Sequence, residues 1–213
     1  MIHILIIDDH TIVQRGLRQI VAGEPDMLVT GEARTGPEGL AIAQAQPWDV
    51  VVLDLSMPGR GGLEVLKELK QALPRLPVLI LSMYPEEQYA IRALRLGAAG
   101  YLTKESAPEE LIGAIRKVIK GGRYVSAALA ETLAGRMVTH DQIGERPLHE
   151  SLSDREYLVL RLIGTGKTVT EIADELALSI KTISTYRARI LQKMGMRTNA
   201  ELTHYVISNH LTD

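Results

Sequence analysis

The chain lacks cysteine and phenylalanine altogether, and aromatic residues make up only 4% of its 213 residues. Without cysteine it can form neither disulfides nor thiolate metal sites, and this absence suits the cytoplasm, where we expect the protein to work. Its cores must be built mainly from aliphatic side chains. No run of 18 apolar residues occurs, so the sequence predicts no transmembrane helix and no membrane partner.

Histidine is scarce as well, and its spacing carries no signal. The six histidines are scattered and show no HxxxH pattern, so the sequence predicts no histidine-based metal site. The N-terminal stretch is apolar but lacks a basic flank and carries Asp8 and Asp9, so we do not expect a signal peptide. The length fits one or two domains, and a net charge of −2 excludes little.

Residues 1–122 alternate between short apolar runs and segments with helical periodicity. Strands are predicted at residues 3–7, 27–33, in the run that ends at Asp54, at 78–81 and at 98–102. Helices are predicted at 11–22, 37–45, 63–73, 86–96 and 108–120. Five alternating strand–helix units favour a parallel sheet with helices on both faces.

The character of the chain changes after residue 122. Residues 126–137 can form one helix of modest strength, and the polar residues 139–147 are typical of a linker. From residue 148 no strand pattern appears; Ser153 and Glu156 form a capping-box signature. Helices are predicted at 153–164, 168–176, 179–194 and from 198 or 199 to 208. We therefore predict a first domain at 1–122, a linker with a possible helix at 123–147, and an all-α four-helix domain at 148–213.

Polar side chains end four of the five predicted strands. Asp54 closes the third strand before a Pro-Gly turn signal, and the others are Asp8-Asp9, Ser82 and Lys104. The carboxyl ends of parallel strands meet at one edge, where three carboxylates repel each other unless a cation is present. An all-oxygen ligand set suits Mg²⁺, and the whole group predicts a phosphoryl-transfer site in which Asp54 becomes an aspartyl phosphate. The alternative is that each polar residue separately caps its strand.

This group of residues resembles the receiver domain of two-component response regulators. The resemblance covers about residues 1–122 and rests on Asp8-Asp9, Asp54-Leu-Ser-Met-Pro-Gly, Ser82, Tyr101 and Lys104. It implies a flavodoxin-like α/β fold, with a five-stranded parallel sheet in the order 2-1-3-4-5. It also implies a site in which Mg²⁺ is held by Asp9, Asp54, the Ser56 carbonyl and, through water, Asp8. Ser82, Tyr101 and Lys104 would respond to the phosphoryl group.

One position departs from the receiver pattern. Many receivers have a proline after the lysine, joined by a cis bond, whereas Glu105 follows Lys104 here. A cis bond before a residue other than proline costs about 2.5–4 kcal/mol. We therefore expect a trans bond and a loosened turn after the fifth strand.

The predicted helix at 179–194 belongs to a stretch with cations and no acid. Between Ser179 and Arg197 the cations are Lys181, Arg187, Arg189, Lys193 and Arg197. At 100° per residue, one side of this helix carries Ile180, Ile183, Ile190, Leu191 and Met194. The other side carries Lys181, Ser184, Thr185, Ala188, Arg189 and Gln192. Small side chains flanked by cations suit a helix that enters a DNA major groove, although a solvated charged face is the alternative.

The preceding helix supports the DNA-binding interpretation. Residues 168–176 join the basic helix through the tight turn Ala177-Leu178-Ser179, as in a helix-turn-helix. The segments 152–156, 171–173, 181–186 and 201–202 resemble the LuxR-type four-helix DNA-binding module. By this resemblance the bases are faced by Ser184, Thr185 and Ala188, and the DNA backbone is held by Lys181, Thr182, Arg189 and Lys193. Tyr186 replaces a histidine that is often found at its position.

With both domains, the whole chain resembles the NarL/FixJ group of response regulators. It is expected to be a DNA-binding transcriptional regulator and not an enzyme, apart from self-phosphorylation and autodephosphorylation at Asp54. The expected partners are a histidine kinase that phosphorylates Asp54, promoter DNA bound as a homodimer, and RNA polymerase. One alternative is a phosphatase, but Ser56 stands where such enzymes commonly carry an acidic residue. Another is a regulator that binds DNA without phosphorylation.

Overall fold

The structure is a computed structural model that describes residues 1–57, 61–84, 86–131, 147–176, 178–209 and 211. The chain divides into two compact units, Met1–Asp141 and Gln142–Asp213. No helix in the described part of the chain is both long enough and apolar enough to cross a bilayer.

The first unit is a parallel sheet flanked by helices. Its strands are β1 (Ile2–Ile7), β2 (Met27–Ala33), β3 (Val50–Asp54), β4 (Val78–Ser82) and β5 (Gly100–Thr103). Its helices are α1 (Thr11–Ala22), α2 (Gly36–Ala45), α3 (Gly62–Ala72), α4 (Glu86–Arg95) and α5 (Ala107–Ile119). The strand order is 2-1-3-4-5 and all neighbouring pairs are parallel, which confirms the predicted fold.

The interior strands explain the continuous apolar runs of the sequence. Every residue of β3 and β4 is buried, because helices cover both faces of the sheet. On one face α1 and α5 pack against each other, and on the other α2 packs against α3. Strand β2 lies at an edge and is more exposed, with Leu28 half exposed. The aliphatic core therefore encloses the sheet and leaves the ends of its strands at the surface.

The opposite edge of the sheet is partly covered by the chain after α5. Tyr124 forms a parallel bridge with Gly100: its N–H donates to the Ala99 carbonyl at 2.9 Å, and its carbonyl accepts from the Tyr101 N–H at 3.2 Å. Residues 127–131 are helical, and the Ser126 N–H donates to Glu86 Oε1 at 3.1 Å. Of the predicted helix and linker, residues 132–146 lie outside the described residues. A strand edge that would otherwise expose unpaired main-chain groups is thus paired in part.

The second unit is entirely helical in its described part. A 3-10 turn at Leu148–Ser151 precedes α6 (Asp154–Gly164), α7 (Val169–Glu175), α8 (Ile180–Met194) and α9 (Asn199–Ser208). The predicted capping box of Ser153 and Glu156 is present, and two more capping boxes start α7 and α9. Helix α8 ends at Gly195, whose φ of 67° is easily adopted only by glycine or asparagine. The described helices form the predicted all-α unit.

A substitution at Gly100 tests the pairing of Tyr124 with β5. A Cβ added at Gly100 would lie 2.6 Å from the Tyr124 carbonyl oxygen and 3.0 Å from Leu79 Cδ1, so the Gly100→Ala variant must displace one of them. We expect a decrease of about 1–3 kcal/mol in the free energy of unfolding of the first unit. Fluorescence of Trp48, the only tryptophan, during urea unfolding measures this decrease.

The matched control for this prediction is Gly113→Ala. Gly113 lies on the exposed side of α5 with open space around it, so alanine should stabilise that helix by roughly 0.5–1 kcal/mol. Equal destabilisation by both variants would contradict the pairing argument.

Candidate functional site

A buried acidic pocket lies at the carboxyl ends of the parallel strands. Asp8 directly follows β1 and Asp54 is the last residue of β3, so the pairing of these strands brings the two buried carboxylates together. Lys104, just after β5, places Nζ 2.8 Å from Asp8 Oδ2 and 2.9 Å from Asp54 Oδ2. The Ser56 N–H donates to Asp54 Oδ1 at 3.0 Å. The pocket thus contains two of the three predicted acids, Asp8 and Asp54, and the predicted lysine.

Burial and charge act against each other in this pocket. Burial raises the pKa of Asp54 above its ordinary value and Asp8 adds to this effect, while Lys104 and the Ser56 N–H oppose it. Burial disfavours the Lys104 ammonium, but Asp54 and Asp8 outweigh this and raise the pKa of Lys104. The two carboxylates therefore favour the charged form of Lys104. The single positive charge of Lys104 does not fully compensate the negative charges of Asp8 and Asp54.

His10 belongs to this pocket, although it is absent from the set of site residues predicted from the sequence. Its Nδ1 lies 3.0 Å from Asp9 Oδ1, 3.1 Å from Asp8 Oδ1 and 3.8 Å from Asp54 Oδ2. The usual sequence signal of a histidine ligand is a pair of histidines at a fixed spacing. His10 instead stands directly after Asp8 and Asp9 at the end of the first strand, and this position was the feature of the sequence that could have placed it in the pocket.

The donors of the pocket fit a divalent ion such as Mg²⁺. Ligand atoms from Asp8, Asp9, His10 and Asp54 all lie within 4.8 Å of one another. Asp9 Oδ1 is buried and accepts no hydrogen bond within the described part of the chain. Mg²⁺ prefers carboxylate oxygens and waters, so Asp9 and Asp54 can bind it directly. The carbonyl of Ser56 stays a predicted ligand.

Ser82 and Tyr101 both contact the main chain of Tyr84. Ser82 is the buried last residue of β4, and its Oγ accepts from the Tyr84 N–H at 3.1 Å. The buried Tyr101 hydroxyl donates to the Tyr84 carbonyl at 2.9 Å, and burial raises the pKa of Tyr101 well above its ordinary range. Tyr84 in turn stacks on Tyr89, with ring centroids 4.8 Å apart. Sequence reasoning missed Tyr84, because its part in this network is played mainly by its main chain.

The bond that follows Lys104 is trans. No cis peptide bond occurs in the described part of the chain, so the expected trans bond before Glu105 is confirmed, while the loosened turn after β5 stays a prediction.

The exposed face of α8 has the predicted composition. The exposed side chains include Lys181, Ser184, Thr185, Ala188, Arg189 and Gln192, while Ile183, Ile190 and Met194 are buried. Two residues assigned to the apolar side differ from expectation: Ile180 is 53% exposed and Leu191 is only partly buried. Ile180 opens the helix, where its side chain extends past the core of the unit. The helix phase is otherwise as predicted.

Two cations of α8 are engaged within the second unit. Arg187 Nε donates to Asn199 Oδ1 at 2.5 Å, and Lys193 Nζ donates to Glu156 Oε2 at 2.6 Å. Glu156 is buried; although burial opposes it, bonds from Lys193 and Ser153 hold the pKa of Glu156 below its ordinary value. Lys193 was predicted to hold the DNA backbone. Its ammonium has three N–H groups, so the pairing with Glu156 restricts that role without using every donor.

Comparison with known proteins agrees with both units. Residues 4–116 match the response regulator receiver domain family, and residues 150–206 match the luxR family of bacterial regulatory proteins. Response regulator UvrY of Escherichia coli K12 is 36% identical over 211 residues, covering 99% of this chain and 96% of UvrY. Response regulator GacA of Pseudomonas aeruginosa PAO1 is 36% identical over 213 residues, covering 100% of this chain and 99% of GacA.

A solved structure is similar over nearly the whole chain. RcsB from Salmonella enterica serovar Typhimurium, bound to promoter P1flhDC in the presence of BeF3⁻, is 29% identical with a TM-score of 0.59, covering 96% of this chain and 97% of RcsB. A receiver sheet and a helix-turn-helix unit in one chain define a DNA-binding response regulator, a transcription regulator and not a classical enzyme. The chain belongs to the NarL/FixJ group of response regulators.

The pairing of the buried Glu156 carboxylate with the Lys193 ammonium should stabilise the packing of α6 against α8. In the Glu156→Gln variant the bond from Lys193 loses its charged acceptor, so we expect stability to fall by about 1–3 kcal/mol. Hydrogen exchange of the backbone amides of α6 and α8 in the full chain measures this loss of stability. Because the pKa of Glu156 is lowered in the folded state, its contribution is present above the unfolded pKa and disappears as pH falls through the folded pKa. The variant and the native protein should therefore converge at low pH.

Glu175→Gln is the matched control for this prediction, since Glu175 pairs with Lys167 at an exposed site. Exposed pairs contribute about 0–1 kcal/mol. An equal effect of the two substitutions would contradict a special role for the buried Glu156 carboxylate.

Proposed function

We propose that this response regulator is controlled by phosphorylation of Asp54 and binds promoter DNA as a dimer. The observation that carries the proposal is the buried Asp54 carboxylate at a strand end, with Lys104 Nζ at 2.9 Å and, beside it, Asp8 and Asp9, whose oxygens are placed so that they could hold a metal ion. The phosphoryl donor is a phosphohistidine on a histidine kinase. An Asp54 oxygen attacks phosphorus, the P–N bond breaks, and the imidazole of the kinase keeps the electron pair and takes up a proton.

Each residue of the pocket has a part in this transfer. Asp54 supplies the attacking carboxylate oxygen; burial raises its pKa, and Lys104 opposes this effect. Lys104 offers N–H donors to the charge of the transferred group. When bound by Asp9 and Asp54, with Asp8 in support, Mg²⁺ would neutralise charge on the phosphoryl oxygens.

The contacts of Tyr84 support a switch. A phosphoryl group adds a charge of about −1.5 to −2 at neutral pH, which attracts the hydroxyl hydrogen of Ser82 and the ammonium of Lys104. In the structure, Ser82 Oγ accepts from the Tyr84 N–H. A movement of Ser82 toward the phosphoryl group would therefore shift the main chain of Tyr84, whose carbonyl accepts from the Tyr101 hydroxyl. Tyr101 in turn donates its N–H to Tyr124. The proposed consequence is a rearranged surface around β4 and α4 that favours dimerisation and DNA binding.

The exposed face of α8 supports binding in a major groove. We assign base contacts to Ser184, Thr185 and Ala188, and backbone contacts to Lys181, Thr182, Arg189 and Lys193. The Thr185 hydroxyl donates its hydrogen to the Lys181 carbonyl at 2.9 Å. Toward a base, the hydroxyl oxygen can then only accept a hydrogen bond, and the Thr185 methyl group can make an apolar contact. A dimer on a two-fold site would place two such helices about one helical turn apart. The proposal also includes RNA polymerase as a partner and the cytoplasm as the location.

Substitution of the nucleophile tests the phosphorylation step. Asp54→Asn should abolish acid-labile phosphorylation by acetyl phosphate with Mg²⁺, because an amide oxygen is a far weaker nucleophile than a carboxylate. Intact mass spectrometry measures the added phosphoryl group. The control is Asp49→Asn, directly before the same strand, where the carboxylate accepts from the His3 N–H; this variant should be labelled like the native protein. Equal labelling of Asp54→Asn and the native protein would refute the assignment.

Two kinds of α8 variant distinguish residues that bind the DNA backbone from residues that read bases. Arg189→Ala should weaken binding to all DNA alike, and should reduce the salt dependence by up to about 1 unit of slope for each phosphate that is no longer neutralised. Ser184→Ala or Thr185→Val should narrow the difference in binding free energy between target and random DNA by about 1–3 kcal/mol, if the side chain reads a base edge.

Fluorescence anisotropy on an occupied promoter and a scrambled duplex, at several salt concentrations, measures both effects. If the Ser184 and Thr185 variants weakened both duplexes equally, the proposed base contacts would be wrong.

A further inference from the structure

The chain that leaves α5 crosses the β5 edge of the sheet and reaches the start of α4. Tyr124 pairs with β5 through two main-chain hydrogen bonds, at 2.9 and 3.2 Å. A little further on, the Ser126 N–H donates at 3.1 Å to Oε1 of Glu86, which is the first residue of α4. The segment 124–131 is therefore attached at two places, once to β5 and once to α4.

A capped helix follows the attachment to α4. The Oγ of Ser126 accepts from the Leu129 N–H at 3.1 Å, and the Ser126 carbonyl accepts from the Ala130 N–H at 3.0 Å. Leu129 is only 2% exposed, whereas the alanines on either side of it are exposed. The Glu86 carboxylate, through Ser126, and the buried Leu129 side chain thus hold this helix on the first unit.

The attachment to β5 has contacts of its own. The ammonium of Lys117 lies 5.7 Å from the centre of the Tyr124 ring, and a Cβ added at Gly100 would lie 2.6 Å from the Tyr124 carbonyl oxygen. Burial raises the pKa of Tyr124, and the carboxylates of Glu110 and Glu86 add to this effect. Loss of the bond between Glu86 and Ser126 would leave the main-chain pairing of Tyr124 in place, so the two attachments can open separately.

The start of α4 is mechanically close to the Tyr84 main chain. Tyr84 is bonded to Ser82 through its N–H and to Tyr101 through its carbonyl, and α4 begins shortly after it at Glu86. A contact of about 3.6 Å no longer counts as a hydrogen bond. The bond from Ser126 measures 3.1 Å, so a displacement of Glu86 by about half an ångström is enough to break it.

We propose that the segment 124–131 is a clasp that holds the start of the connection between the two units on the first unit, and that phosphorylation of Asp54 opens its α4 attachment while Tyr124 stays paired. Opening frees residues 125–131, which lengthens the free connection by up to about 23–25 Å when they are extended. The predicted helix at 126–137 is short enough to be marginal once it is detached. The clasp itself is independent of the proposed function, whereas its opening rests on it.

The test follows the exchange of individual backbone amides in the full chain by nuclear magnetic resonance. Glu86→Ala removes the acceptor, whereas Glu86→Gln keeps an oxygen at the same place. In the unphosphorylated Glu86→Ala chain the amides of Ser126, Leu129 and Ala130 should exchange about tenfold faster or more, the factor that corresponds to a lost hydrogen bond to a charged group. The Tyr124 amide should exchange as in the native protein, and Glu86→Gln should restore part of the protection.

Phosphorylation and a matched variant complete the experiment. Native protein treated with acetyl phosphate and Mg²⁺, with labelling checked by intact mass, should show the same pattern of faster exchange. The same treatment should add nothing further in Glu86→Ala. The control is Glu109→Ala, because Glu109 is an exposed acid in the first turn of α5 and its loss likewise removes a charge from a helix N-terminus. It should leave the exchange of the clasp unchanged.

Three results would overturn the inference. Unchanged exchange in Glu86→Ala, or an equal effect of Glu109→Ala, would show that Glu86 does not hold the segment. Equal acceleration of the Tyr124 and Ser126 amides would show that the segment opens as one piece. Full protection of the Ser126 amide in the phosphorylated native chain would refute the opening step. A chain that takes up no phosphoryl group would instead refute the proposed function, and the Glu86 variants would still decide whether the clasp exists.

Discussion

One ammonium group makes the acidic pocket possible. Lys104 reaches from the end of β5 to Asp8 beyond β1 and to Asp54 on β3. Two carboxylates buried side by side lose hydration and repel each other, which costs several kcal/mol unless a cation compensates them. All three side chains must therefore reach the same end of the sheet. Since a shift of one residue in β3 would turn Asp54 to the other face, the pocket depends on strand register as well as strand order.

The fold could be predicted because its main signals are local. The apolar runs of β3 and β4 are continuous, as burial on both faces requires, and Pro108 falls in the first turn of α5 as expected. The phase of α8 followed from helical periodicity, since Ile183 and Ile190 are buried. Helical periodicity is a weaker guide at the end of a helix. Ile180 was predicted on the apolar side, but it is the first residue of α8 and its side chain is largely exposed.

The parts of the site that escaped prediction depend on contacts between distant segments. His10 is a single residue without a spacing pattern, and it approaches Asp54, at 3.8 Å, only because β1 and β3 are neighbours. Tyr84 acts through its main chain, which no side-chain motif records. The pairing of Lys193 with Glu156 joins residues 37 positions apart and takes up a cation that periodicity alone assigned to DNA. In each case the residue type was visible but its partner was not.

Tyr101 occupies a place where two hydrogen-bond networks meet. Its hydroxyl donates to Tyr84, near the acidic pocket, and its N–H donates to Tyr124, in the chain that leaves α5. Glu86, at the start of α4, makes a second link, since its carboxylate accepts from the Ser126 N–H. The main-chain bond to Tyr124 does not depend on the tyrosine ring, whereas the bond to Tyr84 does. A change in the position of the Tyr101 ring therefore reaches Tyr124 only if the backbone of β5 moves as well. Because Gly100 packs closely against Tyr124, this contact couples a movement of β5 to Tyr124.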